Sequence, residues 1–378
     1  MNKLPDIGSP GLKKPDIKKP DIKKHVALIL LAFIVAILIT AFISHFTHAP
    51  EEAWSKIPLP DITHQPLSLR VVYARNPRFV DLTEQQLQQV LQHTSVLMQQ
   101  HFNLHVEFEI RAPVDVGVLF ASLPAAVKQA RQSSIADPRF LDQPSLREMR
   151  NSLFEQLSNY AGDSKNLLDY ARPHVLSHES LTDMAALARA LSDTHVTRLR
   201  YWYEEKATDG KPIIDDSAYN QWVWWDSLGY GELPYDVVIT NQLVASMETY
   251  DVAMHSSLRG GINGGTMTYS KQGRYGAYVF VSVFAFLNDR PMLTRLRDDK
   301  KYSDEQITHY AAATLAHELG HLFKHFDHPF GAGECLMNPT PLLHYRAWYE
   351  GLNPQACNAK RLPQMQSGAA EISYNANW

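Results

Sequence analysis

The chain has 378 residues, of which 45% are apolar, and a formal net charge of -4. This length allows one to three domains and a sizeable core. Residues 1–25 hold seven lysines and three aspartates, so the rest of the chain has 29 basic and 37 acidic residues. An acidic body without a basic cluster argues against nucleic acid as the main partner, and nothing in the sequence predicts an oligomeric state.

The first element is an uncharged apolar segment, VALILLAFIVAILITAFI, at residues 26–43. Together with its flanks, residues 25–46, it is long enough to cross a lipid bilayer, which predicts a transmembrane anchor. A cleaved signal peptide is the alternative, but the following SHFTHAPEE lacks a small-x-small cleavage site. The lysine- and proline-rich tail, residues 1–24, is predicted to stay in the cytoplasm. The remainder would then lie outside the cytoplasm, as in a bacterial inner-membrane protein facing the periplasm or a type II protein of another cell.

The extracytoplasmic part is predicted to begin with a proline-rich linker, residues 47–66, followed by one domain over residues 67–378. This domain opens with an apolar strand at 67–74, an amphipathic helix at 83–101 and an alternating strand at 104–111. A strand, a helix and a second strand at this spacing are typical of an α/β opening.

A mostly helical insertion is predicted over residues 113–230. Trp222, Trp224 and Trp225 lie near its end, where they fit either a binding groove or ordinary core packing. The candidate helices of the insertion span residues 119–132, 144–160 and 178–205.

Two strongly apolar strands are predicted after the insertion, at residues 235–240 and 277–286. Between them, RGGINGG at residues 259–265 predicts a flexible turn, and residues 266–270 form a short candidate strand. The predicted fold class is therefore α+β, with a mixed sheet followed by one long helix.

The long helix is predicted to begin after Ser303, which forms a capping-box pattern with Gln306, and to end near residue 324 or 325. It contains His317-Glu318-Leu319-Gly320-His321. His317 and His321 are four residues apart, so a helix places both on one face, where two imidazoles can bind one Zn²⁺ ion. Glu318 projects about 100° further round the helix, towards the water on the open position of the metal, as a general base requires. The alternative is a surface helix that carries histidines without a metal.

The sequence after the helix is LFKHFDHPFGAGECLMNP. With the H-E-x-x-H motif, it resembles the metzincin superfamily of zinc peptidases, especially its archaemetzincin-like members. Their pattern is H-E-x-x-H-x-x-G-x-x-H/D followed by a methionine-bearing turn. The resemblance covers about residues 303–340. It implies a zincin-like fold, a methionine turn at Met337 beneath the metal and a substrate-binding edge strand around residues 264–270, where an ordinary core methionine and plain turn glycines are the alternatives. In some relatives a tyrosine after this turn stabilises the oxyanion, which makes Tyr345 a candidate for that role, although a tyrosine packed in the core is the preferred interpretation.

The third zinc ligand is open between three nearby residues, with a residue distant in sequence as the remaining possibility. The strict family spacing places it at Asp327 and places the helix-ending glycine at Lys324. One extra residue in the turn would instead bring His328 to the metal, and Pro329 favours an extended backbone there. A continued helix would offer His325. We prefer His328 because imidazole is the commoner zinc ligand.

Cys335 and Cys357 are the two cysteines of the chain. Outside the cytoplasm they could form one disulfide, and otherwise they would be free thiols. The sequence as a whole predicts a membrane-anchored, zinc-dependent peptidase that acts on polypeptides outside the cytoplasm. The alternatives are a non-catalytic zinc-binding interaction protein of the cell envelope and an anchored structural protein without a metal.

Overall fold

The described part of the chain lies within one compact unit, Trp54–Trp378. The predicted tail (residues 1–24) and anchor (residues 25–46) fall outside the described residues, as does most of the linker (residues 47–66). Among the helices that are described, none is both long and apolar enough to span a bilayer. The computed structural model describes residues 59–60, 62–121, 123–160, 163–176, 181–214, 219–230, 233–250, 252–271, 274–297, 300–331, 333–340, 342–357, 359 and 369–370.

The fold is mixed α/β. The strands are β1 (Leu59–Pro60), β2 (Leu67–Arg75), β3 (Val106–Ile110), β4 (Val114–Asp115), β5 (Val237–Thr240), β6 (Gly264–Lys271), β7 (Arg274–Ser282) and β8 (Ala369–Ala370). The helices are α1 (Glu84–Phe102), α2 (Val116–Ala121), α3 (Ala125–Ser134), α4 (Gln143–Ser158), α5 (Ser164–Ala171), α6 (Met184–Glu204), α7 (Gln221–Tyr230), α8 (Met254–Arg259), α9 (Phe284–Leu287), α10 (Pro291–Leu296), α11 (Asp304–Lys324) and α12 (Tyr345–Glu350), with a 3₁₀ turn at Arg172–His174.

The predicted mixed sheet is confirmed. Its strand order is β3-β2-β5-β7-β6, with β4 paired to the end of β2, while β1 and β8 form a separate two-residue pair. The pairs among β2, β3, β5 and β7 are parallel. Only β6 runs antiparallel, to β7, and it lies at the edge of the described sheet. Among the described strands, β6 therefore pairs on one side only and presents its other edge unpaired.

Both faces of the sheet are buried, as expected for parallel strands covered by helices. Successive residues of β2 point to opposite faces. Leu69 and Val71 pack into a core that includes apolar residues of α1 and α11. Val72 and Ala74 pack into a second core with residues of α2 and α7, including Trp224. Core packing is therefore the role of Trp224, whose side chain is fully buried.

Several predicted elements differ from the observed ones. The predicted helix at 119–132 is two helices, α2 and α3, since Pro124 disfavours a helical conformation for the residue before it. The predicted strand at 277–286 ends at Ser282, and the short helix α9 follows, because a continuous apolar run does not distinguish a strand from a buried helix. The predicted turn at 259–265 is shorter than expected: residue 259 ends α8, residues 260–263 form the connection, and residues 264–265 begin β6.

The capping-box helix is confirmed as α11. The Ser303 hydroxyl accepts a hydrogen bond from the Gln306 backbone N–H, and the Gln306 side chain accepts one from the Ser303 N–H. The helix crosses the interior of the domain, where it packs against α1, β6 and β7. Most of its length is buried, His317 is buried and His321 is partly buried, so the two motif histidines do not lie on a surface helix.

Gly320 lies at a tightly packed position of α11. A Cβ atom at this position would lie 2.4 Å from the Met337 sulfur and 2.8 Å from Cζ of Phe102. We expect Gly320→Ala to lower the free energy of unfolding by about 1–3 kcal/mol, although alanine is the better helix former, because the added methyl group has no room. Thermal denaturation would measure the change. Gly229→Ala in α7 is the matched control, because nothing lies within 4 Å of its new Cβ. Equal effects of the two substitutions would contradict the expected crowding.

Candidate metal centre

Three imidazole rings converge at the C-terminal end of α11. The Nε2 atoms of His317 and His321 are 3.1 Å apart. Nε2 of His328, on the following loop, lies 3.1 Å from that of His317 and 2.9 Å from that of His321. These three side chains could hold a metal ion. Nitrogens bound to one zinc ion at 2.0–2.1 Å in a tetrahedral arrangement lie about 3.3 Å apart, so the observed triangle is close to the size that zinc requires.

The opposite ring nitrogens of the two helical histidines are held by backbone carbonyls. Nδ1 of His317 lies 2.7 Å from the Leu336 carbonyl oxygen, and Nδ1 of His321 bonds to the carbonyl of Phe326. A carbonyl can only accept, so Nδ1 carries the proton and Nε2 presents a lone pair. Two lone pairs that face each other at 3.1 Å repel unless a cation lies between them. The donor set therefore fits a metal ion.

The conformation at the end of α11 determines which residue supplies the third Nε2 atom. The helix ends at Lys324, and His325 adopts the left-handed conformation with φ of 50°. This left-handed residue lies one position later than the glycine of the metzincin pattern, and His328 likewise lies one position later than the family's third ligand. Asp327 and His325 are not among the residues whose ligand atoms come together. His325 lines the cavity beside the histidines, and Asp327 is partly exposed.

Burial keeps the histidines neutral. Desolvation lowers the pKa of His317 to about 3 and that of His321 to about 4, and it holds the pKa of His328 well below its usual range. Neutral imidazole is the form that binds a metal. Protons therefore do not compete with the metal for these nitrogens at neutral pH in the folded protein.

The low histidine pKa values predict how the metal-free protein responds to acid. In the unfolded state these histidines titrate near pH 6.5. Between this pH and about 4, the unfolded state therefore binds protons that the folded state does not bind, which favours unfolding. We expect the chelator-treated protein to lose stability over this range, which urea denaturation at several pH values would measure. A His317→Asn/His321→Asn variant should lose less stability over the same pH range. Part of the pH dependence should remain, because burial also lowers the pKa of His195 to about 4. An unchanged pH dependence in the variant would contradict this account.

Glu318 lies beside the histidines, and its side chain is 7% exposed. The Thr266 hydroxyl, on β6, donates to Oε2 of Glu318 at 2.9 Å. Gly264 allows this approach, because a Cβ atom there would lie only 2.5 Å from Oε1. Desolvation raises the pKa of Glu318 to about 8, partly offset by the hydrogen bond from Thr266. A carboxyl group with this pKa can exchange a proton near neutral pH.

The loop after the histidines supports the site from beneath. Leu336 supplies the carbonyl that orients His317, and the next residue, Met337, is fully buried against Gly320. Cys335 and Cys357 form a disulfide that ties this loop to a segment 22 residues later. The hydroxyl of Tyr345 accepts a hydrogen bond from the Asn263 amide at 3.0 Å, and both residues line the cavity.

The helical insertion contacts the loop that carries His328. The Tyr160 hydroxyl donates to the His328 carbonyl at 3.1 Å, and the Tyr170 ring packs against Phe330. Gly331 lies so close to Asn166 that a Cβ atom there would be 2.5 Å from the amide nitrogen. Residues from the end of α4 and from α5 thus hold the loop in place.

His255 and Arg259 are among the cavity residues that sequence reasoning missed. Both lie on α8, one helical turn apart, and line a cavity of about 330 Å³ together with the three histidines and Glu318. The His255 ring is 5.3 Å from that of His328, centre to centre. The available signal was a histidine and an arginine four residues apart, but α8 itself was not predicted.

No protein-family model matches the chain, and no curated protein or solved structure is detectably similar to it.

Proposed function

We propose that this protein is a zinc-dependent peptidase of the metzincin-like type. The observation that carries the proposal is the convergence of three imidazole Nε2 atoms, all within 3.1 Å of one another, beside the buried carboxyl group of Glu318. Three protein ligands leave a fourth position for water, which is the arrangement of catalytic zinc sites rather than structural ones. The motif at residues 303–340 supports the family resemblance.

Zinc is the metal that the ligand set supports best. Imidazole nitrogens suit zinc, copper, iron and nickel, whereas calcium and magnesium prefer oxygen ligands. Glu318 lies next to the triangle, but it is not one of the residues whose ligand atoms converge. A neutral three-histidine set with an adjacent acid is typical of zinc hydrolases, in which the acid acts on water.

Bound zinc would lower the pKa of the attacking water towards about 7 and polarise the scissile carbonyl. The residues of the chain supply the rest of the reaction. Glu318, with Oε2 held by Thr266, accepts the proton of the water and then passes it to the nitrogen of the leaving amine. The Tyr345 hydroxyl, which Asn263 orients, donates to the oxygen on which negative charge develops.

The edge strand β6 supplies a binding surface for an extended substrate. It begins at Gly264 beside Glu318, and on its other side it pairs with β7. Exposed backbone groups of an edge strand can pair with a peptide that adds as a further strand. Such a peptide would lie alongside the cavity that contains the histidines, with its scissile bond near Glu318.

The sequence supports a location outside the cytoplasm. The apolar segment at residues 25–46 is long enough for a membrane anchor, and the lysines precede it. The Cys335–Cys357 disulfide is consistent with an oxidising compartment such as the periplasm. We therefore propose an anchored peptidase whose polypeptide substrates lie outside the cytoplasm.

Zinc content is the first test of this function. We expect elemental analysis of the purified full-length protein, after dialysis, to find close to one zinc per chain. A mixed peptide library should then be cleaved, and a chelator should stop the cleavage reversibly. Zinc without hydrolysis would favour the non-catalytic interaction protein. A folded protein that binds no zinc, even when zinc is added, would overturn the proposal.

A further inference from the structure

Arg259 places a guanidinium group in the wall of the metal cavity. It is the last residue of α8, and it is 7% exposed. His255, one turn earlier, lines the same cavity. The positive charge of Arg259 acts across the site: it adds to desolvation in lowering the pKa values of His255 and His317, and it partly offsets the rise that desolvation causes in the pKa of Glu318. The proposed hydrolytic reaction leaves this residue without a role.

The partners of Arg259 do not neutralise its charge. One terminal nitrogen, Nη2, donates to the Thr340 carbonyl at 2.6 Å, and the side chain also interacts with the hydroxyl of Tyr170. Nε is buried and has no hydrogen-bond partner in the part of the chain that the structure describes. Among the described residues that line the cavity, Glu318 is the only carboxylate, and its hydrogen bond comes from Thr266.

A buried cation without an anionic partner is costly. Zinc would add two further positive charges to the same cavity, against one negative charge when Glu318 is ionised. An anionic group of a ligand would offset this excess. The planar guanidinium fork matches the two oxygens of a carboxylate, and its charge-assisted hydrogen bonds are about twice as strong as neutral ones.

We infer that Arg259 binds a carboxylate of the substrate and makes the site selective for peptides that carry one close to the scissile bond. The carboxylate is either the free C-terminus or the side chain of an aspartate or glutamate. This inference rests on the proposed peptidase function. Arg259 is a specificity-determining residue in this account, and the chemistry stays with Glu318.

Zinc-directed inhibitors test the inference without requiring hydrolysis. Three dipeptide hydroxamates would share one scaffold: the first ends in a free carboxylate, the second in a carboxamide, and the third has an amidated end and a glutamate side chain. Calorimetry on the zinc-loaded full-length protein would give each Kd. We expect at least one carboxylate probe to bind about 10- to 100-fold more tightly than the carboxamide, and the first and third probes distinguish the two sources.

Substitutions assign the preference to Arg259. We expect Arg259→Gln to bring the ratio of the carboxamide and carboxylate Kd values close to one while the carboxamide still binds. Arg259→Lys should give an intermediate ratio, and it decides the question if Arg259→Gln does not fold. Arg198→Gln is the matched control. Arg198 packs against Gly260, the residue after Arg259, but it does not line the cavity. Zinc content and thermal denaturation of each variant would verify folding.

Three outcomes separate this inference from the peptidase proposal. Peptide hydrolysis with equal binding of all three probes, or a preference that survives in Arg259→Gln, would overturn the role of Arg259 alone. A preference that depends on Arg259, in a protein that cleaves no peptide, would support carboxylate binding and contradict the hydrolytic function.

Discussion

Glu318→Gln should lower kcat for peptide hydrolysis by about 10²- to 10⁴-fold while zinc stays bound. Glutamine has the shape of glutamate and can still accept the Thr266 hydrogen bond through its amide oxygen, but it cannot take a proton from water. The three imidazoles do not depend on Glu318 for their orientation, because backbone carbonyls hold two of them. Zinc content by elemental analysis and single-turnover hydrolysis would measure the two quantities on one sample.

The matched control for this substitution is Glu305→Gln. Glu305 is exposed in the first turn of the same helix, far along α11 from the histidines. It should leave both zinc content and kcat unchanged. If Glu318→Gln kept full activity, Glu318 would not be the base. If it lost its zinc, the carboxylate would be part of the metal site, and the separation of roles described above would be wrong.

His328→Ala should weaken zinc binding by more than about 100-fold, since removal of a hydrogen-bonding neighbour of a ligand already costs about 10- to 100-fold. The loss follows from the geometry, in which Nε2 of His328 lies 2.9 and 3.1 Å from the other two Nε2 atoms. Competition with a chelator of known affinity would measure the Kd. Peptide hydrolysis should fall in parallel at limiting zinc.

Asp327→Ala is the companion variant, because Asp327 is the adjacent residue and holds the family's usual ligand position. We expect its zinc affinity to change by less than about 10-fold, since its carboxylate is outside the converging group. The opposite order of effects would show that the loop rearranges on metal binding and that Asp327 is the third ligand. Similar large losses in both variants would indicate that the loop, rather than one side chain, determines affinity.

The sequence predicted those parts of the fold that local patterns determine. The capping box of Ser303 and Gln306 correctly located α11, and hydrophobic periodicity located β2, α1 and β3. These elements depend on contacts within a few residues, so their signals are visible without a structure. The position of His317, Glu318 and His321 on one helix followed directly, whereas the burial of that helix is seen only in the structure.

The rest of the site depends on contacts that are distant in sequence. The position of His328 depends on the left-handed conformation of His325, and only a few per cent of non-glycine residues adopt a positive φ, so the sequence does not indicate it there. Arg259 lines the cavity although it lies nearly 60 residues before His317 in sequence, so no local pattern indicates its place there. The glycines of RGGINGG suggested flexibility, whereas Gly264 instead allows the close approach of Glu318 to β6.

Tyr160, Asn166 and Tyr170 contact the loop that carries His328. These contacts link the binding of zinc to the conformation of α4 and α5. If zinc binding fixes the loop, it also favours the arrangement of α4 and α5 that holds the loop. Thermodynamic linkage makes this effect reciprocal: any ligand that orders the insertion tightens zinc binding by the same free energy. A partner bound to the outer surface of α4 or α5 could therefore regulate zinc occupancy without entering the cavity.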